Sequence, residues 1–365
     1  MDGRVKSPRC EVGHLEKATE ETQFDGEFHY ANYSSQIIIP TDIKIIGEFL
    51  EGLRPPRGAG WVSMSDIVEI MKLKSDRLAQ ILPGGKGLWV PIDHGVSDWP
   101  VEGLADTGDV VSRLTTSGGA DAIVAHRGPL SSFADSAALN WQGGWVLHLS
   151  ASTRHAGNSA GYKVLAGEPS TVVLTALDRG AVAVSVQVNL GDENEPEMVE
   201  SLSQIADECQ LLGVPLLGMI YPRGPNLSPL PDDRTEGVAH AARIGWELGC
   251  DVVKVPWTGS PESFAEVTSA VPIPVLVSGG PKSNDFGEVL RMVRAAMVAG
   301  AAGVCMGRQI FGDVDPTARA REVREVVHGI PWDADGRFKL DVEEADSMDD
   351  LYDSFRRNLD SYKSE

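Results

Sequence analysis

The sequence predicts an α/β fold closed into a (β/α)8 TIM barrel, and three observations predict it. Eight short β-rich runs recur between residues 87 and 310 of the 365-residue chain. The runs are apolar nearly throughout instead of alternating, which indicates parallel strands covered on both faces. Each is followed by a helix-like segment before the next run, and eight such units over about 240 residues fit a closed barrel better than an open doubly wound sheet.

Residues 1–80 precede the barrel and read as an extension that is partly helical. Its polar start, "MDGRVKSPRCEVGHLEK", lacks the apolar core of a signal peptide, and its first 30 or so residues are expected to be disordered. Pro55-Pro56 marks a break. The stretch "SMSDIVEIMKLKSDRLAQIL" that follows reads as an amphipathic helix capped by Ser65 or Asp66, packed on the barrel or across a subunit interface.

The barrel is expected over residues 81–330. Its strands are read in "GLWVPIDHG" (87–95), "DAIVAHRG" (121–128), "GWVLHLSA" (144–151), "AVAVSVQVNL" (181–190), "PLLGMIYPRG" (215–224), "DVVKVPW" (251–257), "PVLVSGG" (274–280) and "GVCMGRQI" (303–310). A helix between the fourth and fifth runs places Met198, Leu202, Ile205 and Cys209 on one face, with Asp192 or Asn194 as its cap and Gly213 at its end. Residues 331–365 close the chain as an acidic helical tail, with Leu351, Phe355 and Leu359 on one side and a solvated acidic face on the other.

A barrel of this kind does its chemistry at the C-terminal ends of its strands. Asp93 and His94 end the first run, His126 and Arg127 the second, His148 the third and Tyr221 the fifth. Lys254 lies in the C-terminal half of the sixth, between Val253 and Val255. A lysine there either snorkels to the barrel mouth, pairs with a carboxylate, or is buried with a lowered pKa, and a neutral amine on a rigid strand can form an imine with a carbonyl compound. Asp93-His94 can equally cap a turn and pack in the core, and Tyr221 can be a packed aromatic with a bonded hydroxyl.

The seventh run ends in Gly279-Gly280 and the eighth in Gly307-Arg308. Loops after these two strands form the common phosphate site of such barrels: glycines admit the anion to backbone N–H groups, and an arginine adds a charge-assisted contact. Tight turns beside a surface arginine are the alternative.

Composition narrows the partners. A net charge of -21 disfavours nucleic acid and anionic lipid, and no apolar run is long enough to span a membrane, so a cytoplasmic protein is expected. Cys10, Cys209, Cys250 and Cys305 are widely spaced, without metal-ligand spacing, and are read as reduced, mostly buried thiols. No metal and no cofactor are expected.

The stretches "PIDHG", "GGADAIVAHRG", "HLSAST", "AVAVSVQVNLGDENE", "LLGMIYPRG", "AARIGWELGCDVVKVPWTG", "PVLVSGGPKS" and "AGAAGVCMGRQIF" together resemble the class I aldolases of the archaeal-type fructose-bisphosphate aldolase group. Within that group the sequence is most similar to the 2-amino-3,7-dideoxy-heptulosonate synthases and their actinobacterial relatives that make 2-amino-4,5-dihydroxy-6-oxo-7-phosphooxyheptanoate. The resemblance covers about residues 80 to 320, and the first 80 have no counterpart in it. It implies that Lys254 is the Schiff-base lysine, Tyr221 the proton donor and Asp93 the proton acceptor, with His94 lining the site. It implies a phosphate held by Ser278, Gly279, Gly280, Gly307 and Arg308. Where such enzymes often carry asparagine and tyrosine, this chain has Pro256-Trp257, expected to reshape the pocket and make it bulkier.

The expected function is a metal-independent aldolase or transaldolase acting on a phosphorylated ketose and an aldehyde. The donor is dihydroxyacetone phosphate or a deoxyketohexose phosphate and the acceptor L-aspartate 4-semialdehyde, in aminoshikimate-like or secondary-metabolite biosynthesis. Arg223, His126 and Arg127 are candidate partners for the acceptor's carboxylate, and a homo-oligomer is expected. The alternatives are fructose 1,6-bisphosphate cleavage, a phosphosugar isomerase using Asp93 as base without a covalent intermediate, and a non-catalytic sugar-phosphate binder.

Overall fold

The computed structural model describes residues 64–227 and 234–329. All eight expected strands are present and close into one parallel barrel in the order β1-β10-β9-β8-β7-β6-β3-β2. They are β1 (Gly87–Pro91), β2 (Ala122–Ala125), β3 (Gly144–His148), β6 (Ala181–Leu190), β7 (Leu216–Pro222), β8 (Val252–Val255), β9 (Val275–Ser278) and β10 (Gly303–Cys305). Two short strands outside the barrel, β4 (Ser150–Ala151) and β5 (Val164–Leu165), pair antiparallel. Ser150 and Ala151, read in the sequence as the end of the third barrel strand, therefore belong to a separate hairpin.

Surrounding helices are α1 (Met64–Ile81), α2 (His94–Ser97), α3 (Thr107–Arg113), α4 (Arg127–Phe133), α5 (Pro169–Asp178), α6 (Glu195–Leu211), α7 (Thr235–Glu247), α8 (Pro261–Ser269), α9 (Phe286–Val298), α10 (Arg308–Phe311) and α11 (Pro316–His328). Their starts carry caps of the expected chemistry. Asp106, Ser260, Asp285 and Asp315 each accept a hydrogen bond from a backbone N–H of the first turn, and Ser260 with Ser263 completes a capping box. In α6, Met198, Leu202, Ile205 and Cys209 are all fully buried. Asn194 precedes this helix without a side-chain cap, and Gly213 follows it at φ 60°.

Helix α1 starts at Met64, so Ser65 and Asp66 are inside it and neither is its cap. Asp66 instead lies in the first turn, where a carboxylate is favoured by the partial positive charge of the helix start. At the other end Ile81 and Leu82 enter the base of the barrel and pack with Trp89, whose indole N–H donates to the Ile81 carbonyl at 2.7 Å. The rest of the extension and the acidic tail, residues 1–63 and 330–365, lie outside the described residues.

Two apolar layers hold the barrel, and strand parity divides them. Val253 and Val255 point outward into the layer between strands and helices, whereas Val252 points inward with Trp89, Val124, Val146, Leu217, Met219 and Leu276. Each fully buried aliphatic side chain of this kind contributes about 1.5–3 kcal/mol. Since side chains alternate along a strand, Lys254 must follow Val252 into the interior, one layer nearer the C-terminal mouth.

At the opposite mouth Asp121, just before β2, is buried and accepts from the Leu88 backbone N–H (2.7 Å), from Arg324 (2.5 Å) and from His328 (2.8 Å). This cluster fastens α11 to the first two strands.

Candidate active site

A cavity of about 510 Å³ opens at the C-terminal ends of the strands. Of the candidate residues, Lys254, Tyr221, Asp93, His94, Ser278, Gly279, Gly280, Gly307, Arg308, Arg223 and His126 all line it. Arg127 does not; it begins α4, and its guanidinium lies against Gly167.

Lys254 is buried at 7% exposure, its register partners being Met219 on β7 and Leu276 on β9. Its ammonium lies 3.9 Å from the Met219 sulfur, with Tyr221 and Cys305 beside it. The sequence left open a snorkelling lysine, one paired with a carboxylate and a buried one of lowered pKa, and the surroundings do not lower it. Burial does pull the amine down, but Cys305, Tyr221 and Asp93 outweigh it and hold the ammonium above its ordinary range.

Asp93 follows β1, at the start of the short α2. Burial would raise its carboxyl pKa, but His148, His94, Lys254 and His126 together bring it down to about 2. Two imidazoles face its oxygens: His94 Nδ1 lies 3.5 Å from Oδ1 and His148 Nε2 lies 3.7 Å from Oδ2. Burial lowers all three neighbouring histidine pKa values, that of His148 to about 3, so the imidazoles are neutral. His94 also stacks edge-on with Phe311, ring centroids 5.3 Å apart.

Tyr221 ends β7, and the Arg223 guanidinium sits 4.5 Å above its ring. Arg223 is in turn fixed by Asn189 Oδ1 at 2.9 Å. The loops after β9 and β10 lie together for a reason the sequence did not disclose. Gln309 is buried, donates to the carbonyls of Gly279 (3.0 Å) and Pro281 (2.5 Å), and accepts from the Ser283 N–H (3.1 Å). It thereby ties the two glycine-bearing loops into one rim. Gly280 has φ 64°, and a Cβ on Gly307 would come within 2.3 Å of the Pro91 carbonyl oxygen, so both positions need glycine.

Among the cavity residues absent from our sequence-based set are Lys163, Arg234, Ser150 and Gln187. Lys163 comes from the β4–β5 hairpin and donates to Ser152 Oγ, and burial, then Arg223, lower its pKa. Its signal was present in "GYKVLAG", a lysine beside β-branched residues like Lys254. Trp257 corrects an expectation: it does not line the cavity but packs on Phe264, centroids 5.1 Å apart, and only Pro256 faces the site.

Chemically, the cavity offers an amine that can add to a carbonyl, a phenol and a carboxylate lining the same space, and an anion-binding rim. Cys209, Cys250 and Cys305 are free and buried, and among the described residues no three His, Cys, Asp or Glu side chains are grouped as a metal site. No helix among the described residues is long and apolar enough to cross a membrane.

The family profile of the DeoC/LacD family aldolase matches residues 88–313. A 2-amino-4,5-dihydroxy-6-oxo-7-(phosphonooxy)heptanoate synthase of Streptomyces griseus is 39% identical over 242 residues, 66% of this chain and 84% of that protein. A 2-amino-3,7-dideoxy-D-threo-hept-6-ulosonate synthase of Archaeoglobus fulgidus is 37% identical over 256 residues, 70% of this chain and 91% of its own. Among solved structures, an archaeal fructose-1,6-bisphosphate aldolase with its catalytic lysine bound to the substrate's carbinolamine superposes with a TM-score of 0.61. It is 29% identical and covers 70% of this chain and all of that one.

Proposed function

The chain belongs to the DeoC/LacD family of aldolases, of the Schiff-base class, and from that membership we propose a specific reaction. The enzyme joins a three-carbon unit from a phosphorylated ketose, dihydroxyacetone phosphate or a deoxyketohexose phosphate, to L-aspartate 4-semialdehyde. The observation that carries this reading is a lysine, Lys254, buried on a barrel strand at a cavity it shares with a tyrosine, a carboxylate and a glycine-arginine rim.

Lys254 passes a proton to a neighbour, and its free amine adds to the ketone carbon to give a carbinolamine. Tyr221, beside the lysine nitrogen, protonates the carbinolamine hydroxyl, and water leaves. The resulting iminium draws electrons from the adjacent bond, C–C in a ketohexose or C–H in dihydroxyacetone phosphate, leaving an enamine. Asp93 accepts the proton released in either case, from the C–H bond or from the hydroxyl that becomes the departing aldehyde, and returns one to the new hydroxyl when the enamine attacks the acceptor aldehyde. Water then adds to the product iminium, the C–N bond breaks, and the ketone leaves a free Lys254. Acid-base groups so placed contribute roughly 10²–10⁴-fold each. Ser278, Gly279, Gly280, Gly307 and Arg308 hold the phosphate and so fix the carbonyl against Lys254.

In the same cavity Arg223, Lys163 and Arg234 supply positive charge, and the His126 imidazole a polar contact, for the acceptor's carboxylate. The same cations favour a second reading, since they can also take the second phosphate of fructose 1,6-bisphosphate. With the iminium as electrophile the reaction needs no metal, and activity should survive a chelator; loss restored by a divalent ion would contradict this.

The deciding assay supplies dihydroxyacetone phosphate with either aspartate semialdehyde or glyceraldehyde 3-phosphate and follows products by mass. A seven-carbon amino-keto acid phosphate is expected from the first pair. Fructose bisphosphate from the second, with nothing from aspartate semialdehyde and either donor, would select the second reading. An isomerase or a sugar-phosphate binder would join neither pair and would not be trapped by borohydride.

A further inference from the structure

His148 has no role in the reaction as written, yet it is the most enclosed titratable group facing the carboxylate. It ends β3 and sits in register with Ser185 of β6, which is fully buried. Its Nδ1 is 2.8 Å from Ser185 Oγ and its Nε2 points at Asp93 Oδ2. Its backbone carbonyl accepts from His126 Nδ1 at 3.1 Å, and the two rings lie 5.2 Å apart.

The neutral imidazole has one proton to place. On Nδ1 it would donate to Ser185 and leave the Nε2 lone pair aimed at a carboxylate, two acceptors opposed in a site shielded from water. On Nε2 it donates toward Asp93, and the Ser185 hydroxyl donates into Nδ1. Only the second arrangement satisfies every group. The Asp93 side chain makes no capping hydrogen bond to α2, so the helix does not fix it.

We propose that Ser185 and His148 form a positioning relay for Asp93, with Ser185 O–H holding His148 in the Nε2–H tautomer and that N–H orienting the carboxylate. The present 3.7 Å separation closes to a hydrogen bond when substrate fills the cavity, as catalytic contacts do on complex formation. The other charged or titratable groups around the pair are His94, His126, Lys254 and, on the hairpin side, Lys163. The inference rests on the proposed function in taking Asp93 as the proton-transferring carboxylate.

Four measurements test it. Glutamine carries its amide nitrogen near the Nε2 position and asparagine carries one near Nδ1. His148→Gln should therefore keep most turnover, and His148→Asn should lose roughly ten- to a hundredfold in kcat, less than an acid-base group itself. In His148→Asn and Ser185→Ala the acid limb of the turnover profile should move to higher pH, because the carboxylate has lost a donor that stabilised its charge. KM for the phosphorylated donor and borohydride trapping should be unchanged in all three. In the unsubstituted protein, 15N-histidine spectra should show a protonated Nε2 and a bare Nδ1 for the resonance that disappears in His148→Gln.

Equal losses in the glutamine and asparagine variants with an unmoved acid limb would overturn the relay, as would a protonated Nδ1. The spectrum decides even if one variant fails to fold, because either His148 variant suffices to assign the resonance. Absence of trapping in the unsubstituted enzyme would instead remove the Schiff-base reading of Lys254 and leave the tautomer result standing.

Discussion

The ammonium of Lys254 lies 3.9 Å from the thioether of Met219, its register partner on the adjacent strand. A sulfur of that kind is a weak acceptor and no counter-ion. The lysine's charge is therefore compensated from the cavity side, by the Asp93 carboxylate, with Tyr221 and Cys305 beside it, which directs its reactive nitrogen toward the space where substrate enters.

Borohydride in the presence of dihydroxyacetone phosphate should inactivate the enzyme and label Lys254, as read by peptide mapping. Lys254→Arg should abolish turnover, because a guanidinium stays protonated and forms no imine. Label on Lys163, the other lysine lining the cavity, would transfer the nucleophile's role to the hairpin.

Tyr221→Phe retains the ring beneath Arg223 and removes only the hydroxyl. Turnover should fall by roughly 10²–10⁴-fold with donor binding little changed. Steady-state kinetics with an unaltered kcat would exclude the phenol from proton transfer.

Arg308→Ala should weaken binding of phosphorylated donors by about 2 kcal/mol, the scale of a charge-assisted contact. Unphosphorylated dihydroxyacetone should be nearly indifferent to the change. Equal losses for both donors, measured by calorimetry, would make Arg308 a structural residue.

Acid should destabilise the fold through the site. The folded-state pKa of His148 is depressed to about 3, so an unfolded chain takes up this proton at its ordinary value near 6.5 while the folded chain does not. The stability this represents is complete above about pH 6.5 and is lost as pH falls toward 3, with Asp93 adding a further loss between its ordinary value and about 2. Urea unfolding of His148→Gln should accordingly change less between about pH 7.5 and about pH 5 than that of the unsubstituted protein. An identical change would mean that His148 titrates normally.

Asp121→Ala should cost about 1–3 kcal/mol, since it leaves the buried Leu88 N–H without its acceptor and takes the carboxylate away from half-buried Arg324, which keeps the Gly119 carbonyl. Chemical denaturation is the measurement, and a loss below about 1 kcal/mol would show that water replaces the carboxylate there.

The eight strands and most of the site were legible because barrel geometry is written locally. Continuous apolar runs specify buried parallel strands, and a polar residue at the end of such a run is delivered to one common mouth. Thus Asp93, His126, Tyr221, Lys254 and Arg308 were identified from position and residue type, and the cavity gathers all five. Ser150 misled because an apolar run does not show where the barrel ends and a hairpin begins. Trp257 misled because two residues past a strand the chain has left the alternating pattern, and packing on Phe264 decided its direction.

The sequence by itself determined the fold class, the strand order along the chain and the identity of the inward lysine, since each depends on nearest-neighbour patterning. Tertiary structure alone decided the electrostatics. Whether Lys254 is neutral or charged depends on Asp93, Tyr221 and Cys305, which come from three other strands or their ends, and their pull exceeds the burial that the local sequence implied. The same holds for Gln309 clasping the phosphate rim and for Lys163 entering from a hairpin. Charge and hydrogen bonding act across space between residues far apart in the chain, and no local pattern records which of them closure of the barrel will bring together.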